Sequence, residues 1–245
     1  MRFSIKEPIP EIFASWEALS AATDAYLAED HDTADHLLRR ANDPIVWSWL
    51  NPAWSKVDAH VVQLHPENDS FPVRKTDRDP DRNIRAAIRK TVLERDGYRC
   101  RYCGVPVISA DMRKFLVTRY PDAVPWDLYD PSKQHAALSA LWLQFDHVVP
   151  HSHGGLSDPD NVVVTCALCN FGKDRFTIRQ LGIADPRDRQ PVTAPWDGLE
   201  RLRPYYKEQQ AALRAQKKEI LTAGLFGPST LPLPVRRMAK KAQNV

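Results

Sequence analysis

Apolar residues recur at helical spacing through the first forty positions of the chain. The positions that keep this spacing are Ile12, Phe13, Trp16, Leu19, Tyr26, Leu27, Leu37, Leu38 and Ala41. The polar run His31-Asp32-Thr33 interrupts the pattern, and Asp32 or Thr33 is suited to cap a new helix. The pattern therefore predicts two consecutive helices within residues 11–42.

An aromatic stretch follows, in which Trp47, Trp49 and Trp54 lie among prolines. These side chains can belong to a hydrophobic core, stack on DNA bases or dock another protein. We favour the core, because clustered aromatic residues usually bury their area. Residues 66–83 then combine three prolines with many charges, which is typical of a linker.

Helical spacing returns after this segment and predicts a helix that starts near Ile84 and continues past Val92. Basic residues lie along or beside it, namely Arg82, Arg85, Arg89, Lys90 and Arg95. They can contact phosphate or form an ordinary solvated face. Residues 104–142 are interpreted as an insertion whose last part, His135 to Trp142, is helical.

Phe145, Val148 and Val149 suit one short strand and residues 161–165 suit a second, with a polar loop between them. A helix is expected after the second strand, continuing from Lys173 to Leu181. Residues 196–221 predict another helix, in which Pro204 marks either a kink or the true start. The tail from Gly227 is proline-rich and then basic, which favours a flexible segment with non-specific attraction to DNA.

Composition limits the class of protein. The 245 residues are 43% hydrophobic and 27% charged, with a mean hydropathy of −0.47, which suits one compact domain with appendages or two small domains. No apolar run approaches the roughly 20 residues that cross a bilayer, and the N-terminus lacks the pattern of a secretory signal. We therefore expect a cytoplasmic protein that has no membrane partner.

The charge is unevenly distributed along the chain. Residues 1–71 contain 5 Lys/Arg against 12 Asp/Glu, so the net charge of +3 leaves +10 on the remaining 174 residues. A basic surface of this kind suits a polyphosphate ligand, although a solvated surface can carry the same charge.

All four cysteines occur in two CxxC pairs, Cys100/Cys103 and Cys166/Cys169. In a reducing compartment such pairs favour metal binding over disulfides. Four thiolates complete the tetrahedral shell of a structural Zn²⁺ ion. A redox pair and unrelated thiols are the alternatives.

The segment from Phe145 to Arg175 contains the residues with candidate chemistry. Asp146 offers a carboxylate to Mg²⁺ or Mn²⁺, and His147 beside it can accept a proton from water near neutral pH. Asn161 can orient that imidazole or simply cap a turn. Asn170, expected to open the helix after the last cysteine, can supply a second oxygen ligand.

In this order the motifs resemble the HNH endonucleases, which have a ββα-metal fold. The resemblance rests on RDGYRCRYCG at residues 95–104, Asp146-His147, Gly154-Gly155, Asn161 and CALCN at residues 166–170 with Lys173. It departs from the family at three points. The third family position is Asn170 instead of His, and His151 stands where many relatives have a basic residue after the proline. The gap between the first cysteine pair and Asp146 is longer than usual.

The resemblance implies an α+β fold: a ββα-metal core with a four-cysteine zinc site, flanked by mostly helical segments. It further implies that His147 is the general base, that Asn161 positions it, and that Asp146 and Asn170 bind a catalytic Mg²⁺ or Mn²⁺. Structural Zn²⁺ would be bound by Cys100, Cys103, Cys166 and Cys169. Candidate DNA contacts are Arg95, Arg99, Arg101, Lys173 and Arg175.

We therefore expect a metal-dependent nuclease that hydrolyses DNA phosphodiester bonds. Its expected parts are an acidic helical region at 1–71, a nuclease domain at 72–185 with an insertion at about 105–142, and a helix with a basic tail at 186–245. The alternative is a zinc-knuckle protein that binds nucleic acid or docks a partner without catalysis.

The acidic N-terminal region has two interpretations. It can dock a regulatory protein, such as an ATPase in a bacterial phage-defence or restriction system, or it can pack on the nuclease as a helical cap.

Overall fold

A computed structural model describes residues 2–54, 65, 71–192 and 195–222. The chain divides into two compact units, residues up to Leu202 and residues from Arg203 onward. The domain boundaries expected from the sequence stay predictions. Residues 66–70 of the expected linker and the basic tail lie outside the described residues. Within the described ranges, no helix is both long and apolar enough to cross a membrane.

The N-terminal region forms three helices, α1 (Pro10–Leu27), α2 (His31–Ala41) and α3 (Pro44–Trp54). Pro10 suits the first turn of α1, where a backbone N–H is not needed. Asp30 caps α2 by accepting a hydrogen bond from the Thr33 amide at 3.0 Å. The predicted pair of helices is confirmed, with the cap two residues earlier than Asp32.

Helix α3 is bonded to the segment that precedes α1. Trp49 is 3% exposed and its Nε1 donates to the Glu7 carbonyl at 2.8 Å, so this tryptophan belongs to the core, as favoured from the sequence. Lys6 Nζ donates to the Trp49 carbonyl at 3.1 Å. The Trp54 side chain lies outside the described residues.

The insertion contributes helices α5 (Ala110–Arg119) and α6 (Ala136–Ala140); α5 follows α4 (Ala86–Asp96) in the chain. The helical end of the insertion is confirmed, whereas α5 was not expected from the sequence. Helix α3 packs against α6. His135, fully buried before α6, donates from Nε2 to the Leu38 carbonyl at 2.9 Å and accepts from the Leu138 amide at Nδ1. The insertion is therefore bonded to α2.

The strands β1 (Gln144–His147) and β2 (Val162–Thr165) pair antiparallel, with Asp146 opposite Val163. Every residue of β2 is buried, as its run of valines predicts. Helix α7 (Ala167–Lys173) follows directly and packs against β1 and α3. This ββα unit, with the four cysteines beside it, confirms the predicted fold class.

Helix α7 is shorter than the sequence suggested. The prediction that it continues to Leu181 is wrong, because Asp174 adopts a positive φ of 46° and ends the helix. The Asp174 amide donates to the Asn170 carbonyl at 3.0 Å. Thr177 and Gln180 then form a turn closed by reciprocal backbone to side-chain hydrogen bonds.

The first residues of the second unit form helix α8 (Arg203–Thr222). Pro204 is the second residue of α8, so it marks the start of the helix and does not kink it.

Helix α4 is fixed to the sheet through its last residue. The fully buried carboxylate of Asp96 accepts from the Val164 amide at 2.9 Å and from Arg95 Nε at 2.7 Å. Arg101 Nε lies 3.6 Å from the same carboxylate. Hydrogen bonds from several donors offset the cost of burying this charge, and they hold the first cysteine pair, just beyond α4, next to β2.

Candidate functional site

The four cysteines form a compact cluster. Their sulfur atoms all lie within 4.8 Å of one another, and Cys103 Sγ is 3.7 Å from Cys166 Sγ. Sulfurs arranged tetrahedrally around Zn²⁺ at about 2.3 Å are spaced by about 3.8 Å. The cysteines are free thiols. The donor set and its spacing therefore fit one metal ion, as the two CxxC pairs predicted.

Two local structures bring the pairs together. The first pair occupies a tight turn in which the Cys100 amide donates to the Val105 carbonyl and the Gly104 amide to the Cys100 carbonyl, both at 2.9 Å. In the second pair, Cys166 immediately precedes α7 and Cys169 lies in the first turn of the helix. The Arg101 amide donates to the Val164 carbonyl, which joins the turn to β2.

An open cleft of about 710 Å³ lies beside the ββα unit. Asp146, His147 and Asn170 line it together. The other lining residues are Arg78, Arg82, Asn83, Ile84, Arg89, Phe145, Pro150, His151, Ser152, Phe171, Asp174 and Arg175. The cleft lies at the end of β1, where His147 is the last residue of the strand, and consecutive residues of the strand line it.

The Asp146 carboxylate is 6% exposed and has two buried partners. Tyr102 Oη donates to its Oδ2 at 2.8 Å, and Lys173 Nζ lies 3.2 Å from Oδ1 and 3.1 Å from Oδ2. Burial raises the pKa of Asp146, while the Lys173 ammonium and the Tyr102 hydroxyl oppose the rise. These contacts fix the carboxylate at the wall of the cleft.

The His147 imidazole is held through Nε2, which lies 2.8 Å from the Ser157 hydroxyl. That hydroxyl donates its hydrogen to the Arg82 carbonyl at 3.2 Å, so its oxygen accepts from Nε2–H. This tautomer leaves the lone pair on Nδ1. Burial lowers the pKa of His147, and the Asp146 carboxylate opposes this shift. The ring is therefore a neutral base near pH 7.

Asn161 holds the backbone of the loop through hydrogen bonds, and none of them is made to the imidazole. Its Oδ1 accepts from the Val149 amide at 2.9 Å, and its Nδ2 donates to the carbonyls of Val149 and Leu156. A Cβ at Gly155 would lie 1.8 Å from the Val149 carbonyl oxygen, so only glycine fits beside this amide. Asn161 was expected to position His147, but it makes no hydrogen bond to that ring. Ser157 makes the hydrogen bond to the imidazole instead.

Asn170 lies in the middle of α7, not at its start as expected, because the helix already begins at Ala167. It nevertheless lines the cleft with Asp146. A carboxylate and an amide oxygen at one cleft match the ligands that Mg²⁺ and Mn²⁺ prefer. These two residues therefore stay the candidate ligands of a divalent ion.

Of the five basic residues expected to contact DNA, Arg175 lines the cleft. Lys173 does not fit that role, since it is fully buried and its ammonium is bonded to Asp146 and to the His147 carbonyl at 2.7 Å. Arg101 does not fit it either, being 8% exposed and bonded to the Pro186 carbonyl at 2.6 Å.

The remaining two lie outside the cleft lining. Arg95 bonds to Asp96 and to the carbonyls of Pro159 and Val162. Arg99 donates to the Gly104 carbonyl at 3.2 Å and lies over the Trp16 ring at 5.4 Å. Both therefore have intramolecular partners.

The cleft also contains residues that sequence reasoning did not place there. Arg78 and Arg82 come from the expected linker, which is bonded to the loop after β1 by the Val73 amide and the Ser152 carbonyl at 2.9 Å. Arg82 and Arg89 are both among the basic residues that the sequence offers as phosphate contacts along or beside α4. His151 also lines the cleft and its Nε2 donates to the Asp79 carbonyl at 2.7 Å. No local pattern signals that the linker returns to this wall.

The strand–loop–strand–helix unit, its acid–imidazole pair and the adjacent cysteine cluster define a ββα-metal domain. Residues 135–175 match the family model of the HNH endonucleases, so this part of the chain is an HNH domain. Such a domain indicates a nuclease-type function. No curated protein and no solved structure matches the chain.

Proposed function

We propose that the protein is a metal-dependent HNH endonuclease that hydrolyses phosphodiester bonds of DNA. The observation that carries this proposal is the meeting of Asp146, His147 and Asn170 at one open cleft. A carboxylate, a neutral imidazole and an amide oxygen are the groups that metal-assisted hydrolysis of a phosphodiester requires.

The cleft has the charge that a nucleic-acid backbone needs. Arg78, Arg82, Arg89 and Arg175 line it, and the last three of these are exposed. Arginine forks bind phosphate oxygens, and each neutralised phosphate releases counterions. A DNA strand lying along these arginines would present a phosphodiester to His147.

Each residue of the site has a distinct part in the proposed reaction. His147 Nδ1 takes a proton from a water molecule, while Ser157 keeps the ring in the tautomer that has its lone pair there. Asp146 and Asn170 would hold the divalent ion. That ion, when bound, supplies positive charge to the phosphate and the leaving oxygen. Asn161 keeps the loop after β1 in place.

The cysteine cluster has a structural part in the proposal. Zn²⁺ is the ion that four thiolates at this spacing suit best. Four protein ligands leave no open position for substrate, so this ion would stabilise the fold and take no part in hydrolysis.

The test is cleavage of supercoiled plasmid DNA with Mg²⁺ or Mn²⁺, with EDTA as the metal-free control. We expect His147→Ala to lower the rate by about 10²–10⁴-fold, the usual contribution of a general base. His36→Ala is the matched control, because His36 is exposed on α2. A cleavage rate in His147→Ala equal to that of the wild type would exclude His147 as the general base. DNA binding without cleavage in the wild type would favour the non-catalytic alternative.

The expected ATPase partner, the role in phage defence or restriction and the cytoplasmic location stay predictions. The packing of α3 on α6 and α7 supports the alternative in which the N-terminal region is a cap. Charge reversal at the exposed residues Glu29 and Asp32 separates the two. A docking role requires loss of the co-purifying partner at an unchanged melting temperature.

A further inference from the structure

Tyr102 joins the cysteine cluster to the candidate active site. It lies inside the first CxxC pair, between Cys100 and Cys103. Its side chain is 1% exposed, and its hydroxyl donates to Asp146 Oδ2 at 2.8 Å. One rigid aromatic ring therefore spans the distance from the sulfur site to the carboxylate.

The second partner of the carboxylate comes from the other cysteine segment. Lys173 is four residues after Cys169 on α7, is fully buried, and contacts both Asp146 oxygens. Each CxxC segment therefore contributes one hydrogen bond to Asp146. The position of both donors depends on how the four sulfurs are held together.

The carboxylate needs such support because its own strand is small. β1 has four residues and pairs with a single neighbour, and Asp146 is its third residue. A hydrogen bond from a buried hydroxyl restricts rotation of the carboxylate plane. Groups that orient a metal ligand in this way typically contribute 10–100-fold to metal affinity.

We propose that Tyr102 is a positioning residue that transmits the geometry of the four-cysteine site to the Asp146 carboxylate. This inference rests on the proposed role of Asp146 as a ligand of the divalent ion in the cleft. Binding of that ion then depends on the sulfur site, although the sulfur site itself does not contact the cleft ion.

The test is a titration of zinc-loaded protein with Mn²⁺, followed by electron paramagnetic resonance, in the wild type and in Tyr102→Phe. The substitution removes one oxygen and keeps the ring. We expect the dissociation constant for Mn²⁺ to rise about tenfold, with zinc content unchanged at one per chain. Excess Mn²⁺ should restore DNA cleavage by the variant.

Tyr120→Phe is the matched control. Tyr120 is also buried, at 6% exposed, and its hydroxyl lies 3.3 Å from His31 Nδ1 instead of at the cleft. We expect this variant to bind Mn²⁺ as the wild type does. Wild-type Mn²⁺ affinity in zinc-replete Tyr102→Phe would overturn the inference and leave the proposed function intact. Mn²⁺ binding without DNA cleavage in the wild type would overturn the proposed function and leave the inference intact.

If Tyr102→Phe holds less zinc than the wild type, a measurement on the wild type replaces it. Co²⁺ bound by the four cysteines reports its geometry through its absorption spectrum. Coupling between two sites is reciprocal in binding free energy, so saturation of the cleft with Mg²⁺ should tighten Co²⁺ binding by the four cysteines, measured by titration of that absorption. An unchanged Co²⁺ affinity at saturating Mg²⁺ would overturn the inference.

Discussion

Basic side chains occur both around the cysteine cluster and along the cleft, but their environments differ. Around the cysteines, Arg101 and Lys173 are almost fully buried, and bond to carbonyls or pair with Asp96 and Asp146. Along the cleft, Arg82 and Arg175 are exposed. The same residue types therefore stabilise the fold in one region and are available to a ligand in the other.

Burial, and not the count of charges, therefore decides what a basic residue does. Leaving a buried cation without its partner lowers the stability of the fold by several kcal/mol. An exposed ion pair contributes less than about 1 kcal/mol to that stability. Substitutions in the cysteine region should therefore change stability. Substitutions in the cleft should change DNA binding and leave stability unchanged.

The largest effect is expected from disrupting the cysteine cluster. In Cys169→Ser one ligand of the proposed zinc is weakened, and binding of structural zinc is worth on the order of 10 kcal/mol in small domains. We expect loss of cooperative thermal unfolding and of DNA cleavage together. The wild type refolded with a chelator should behave in the same way. A chelated protein that melts as the zinc-loaded one does would contradict a structural role.

Lys173→Met tests the buried ion pair. It leaves the Asp146 carboxylate without its cation, and breaking a buried pair typically costs about 3–5 kcal/mol. Urea unfolding should show this loss. Lys90→Met is the matched control, because Lys90 forms an exposed, solvent-screened pair with Glu94 at 2.9 Å and its loss should leave stability nearly unchanged. Equal losses in the two variants would contradict the comparison between regions.

A pH effect on stability is expected from His135, which is buried against α2. Burial lowers the pKa of His135 to about 4, while the unfolded chain binds its proton near pH 6.5. Protonation therefore favours unfolding: this contribution is complete above pH 6.5 and is lost as the pH falls toward 4. The loss is about 3 kcal/mol.

Urea unfolding of the wild type and of His135→Gln across this range checks the expectation. The variant should lose less stability on acidification. The exposed His36, replaced by Gln, should leave the pH dependence as in the wild type. Parallel curves for wild type and His135→Gln would show that His135 is not the responsible group.

The smallest effect is expected at single cleft arginines. Arg82→Ala and Arg175→Ala each remove one proposed phosphate contact, so DNA affinity should fall by about tenfold or less. The slope of log affinity against log salt concentration should decrease in magnitude by about one. Arg40→Ala removes the same charge from an exposed position on α2. Fluorescence anisotropy at several salt concentrations measures both quantities. Equal loss of affinity in Arg40→Ala would indicate a general charge effect.

Much of the HNH unit could be predicted because its signals are local. A CxxC pair needs one turn to aim two sulfurs at one point, and two short strand-forming segments separated by a polar loop specify a hairpin. The cluster of four sulfurs and the β1–β2 pair follow from these patterns. The end of α7 was missed, because the positive φ of Asp174 is not visible in the periodicity.

The kinds of chemical group present and the local elements that carry them follow from the order of residues along the chain: four thiols in two turns, and an acid beside an imidazole at a strand end. Tertiary structure alone decided which basic residues face the cleft. Lys173 and Arg175 are two residues apart, yet one is buried against Asp146 and the other is exposed. Spacing along the chain sets neighbours within a turn, whereas burial depends on residues that are distant in sequence and meet only after folding.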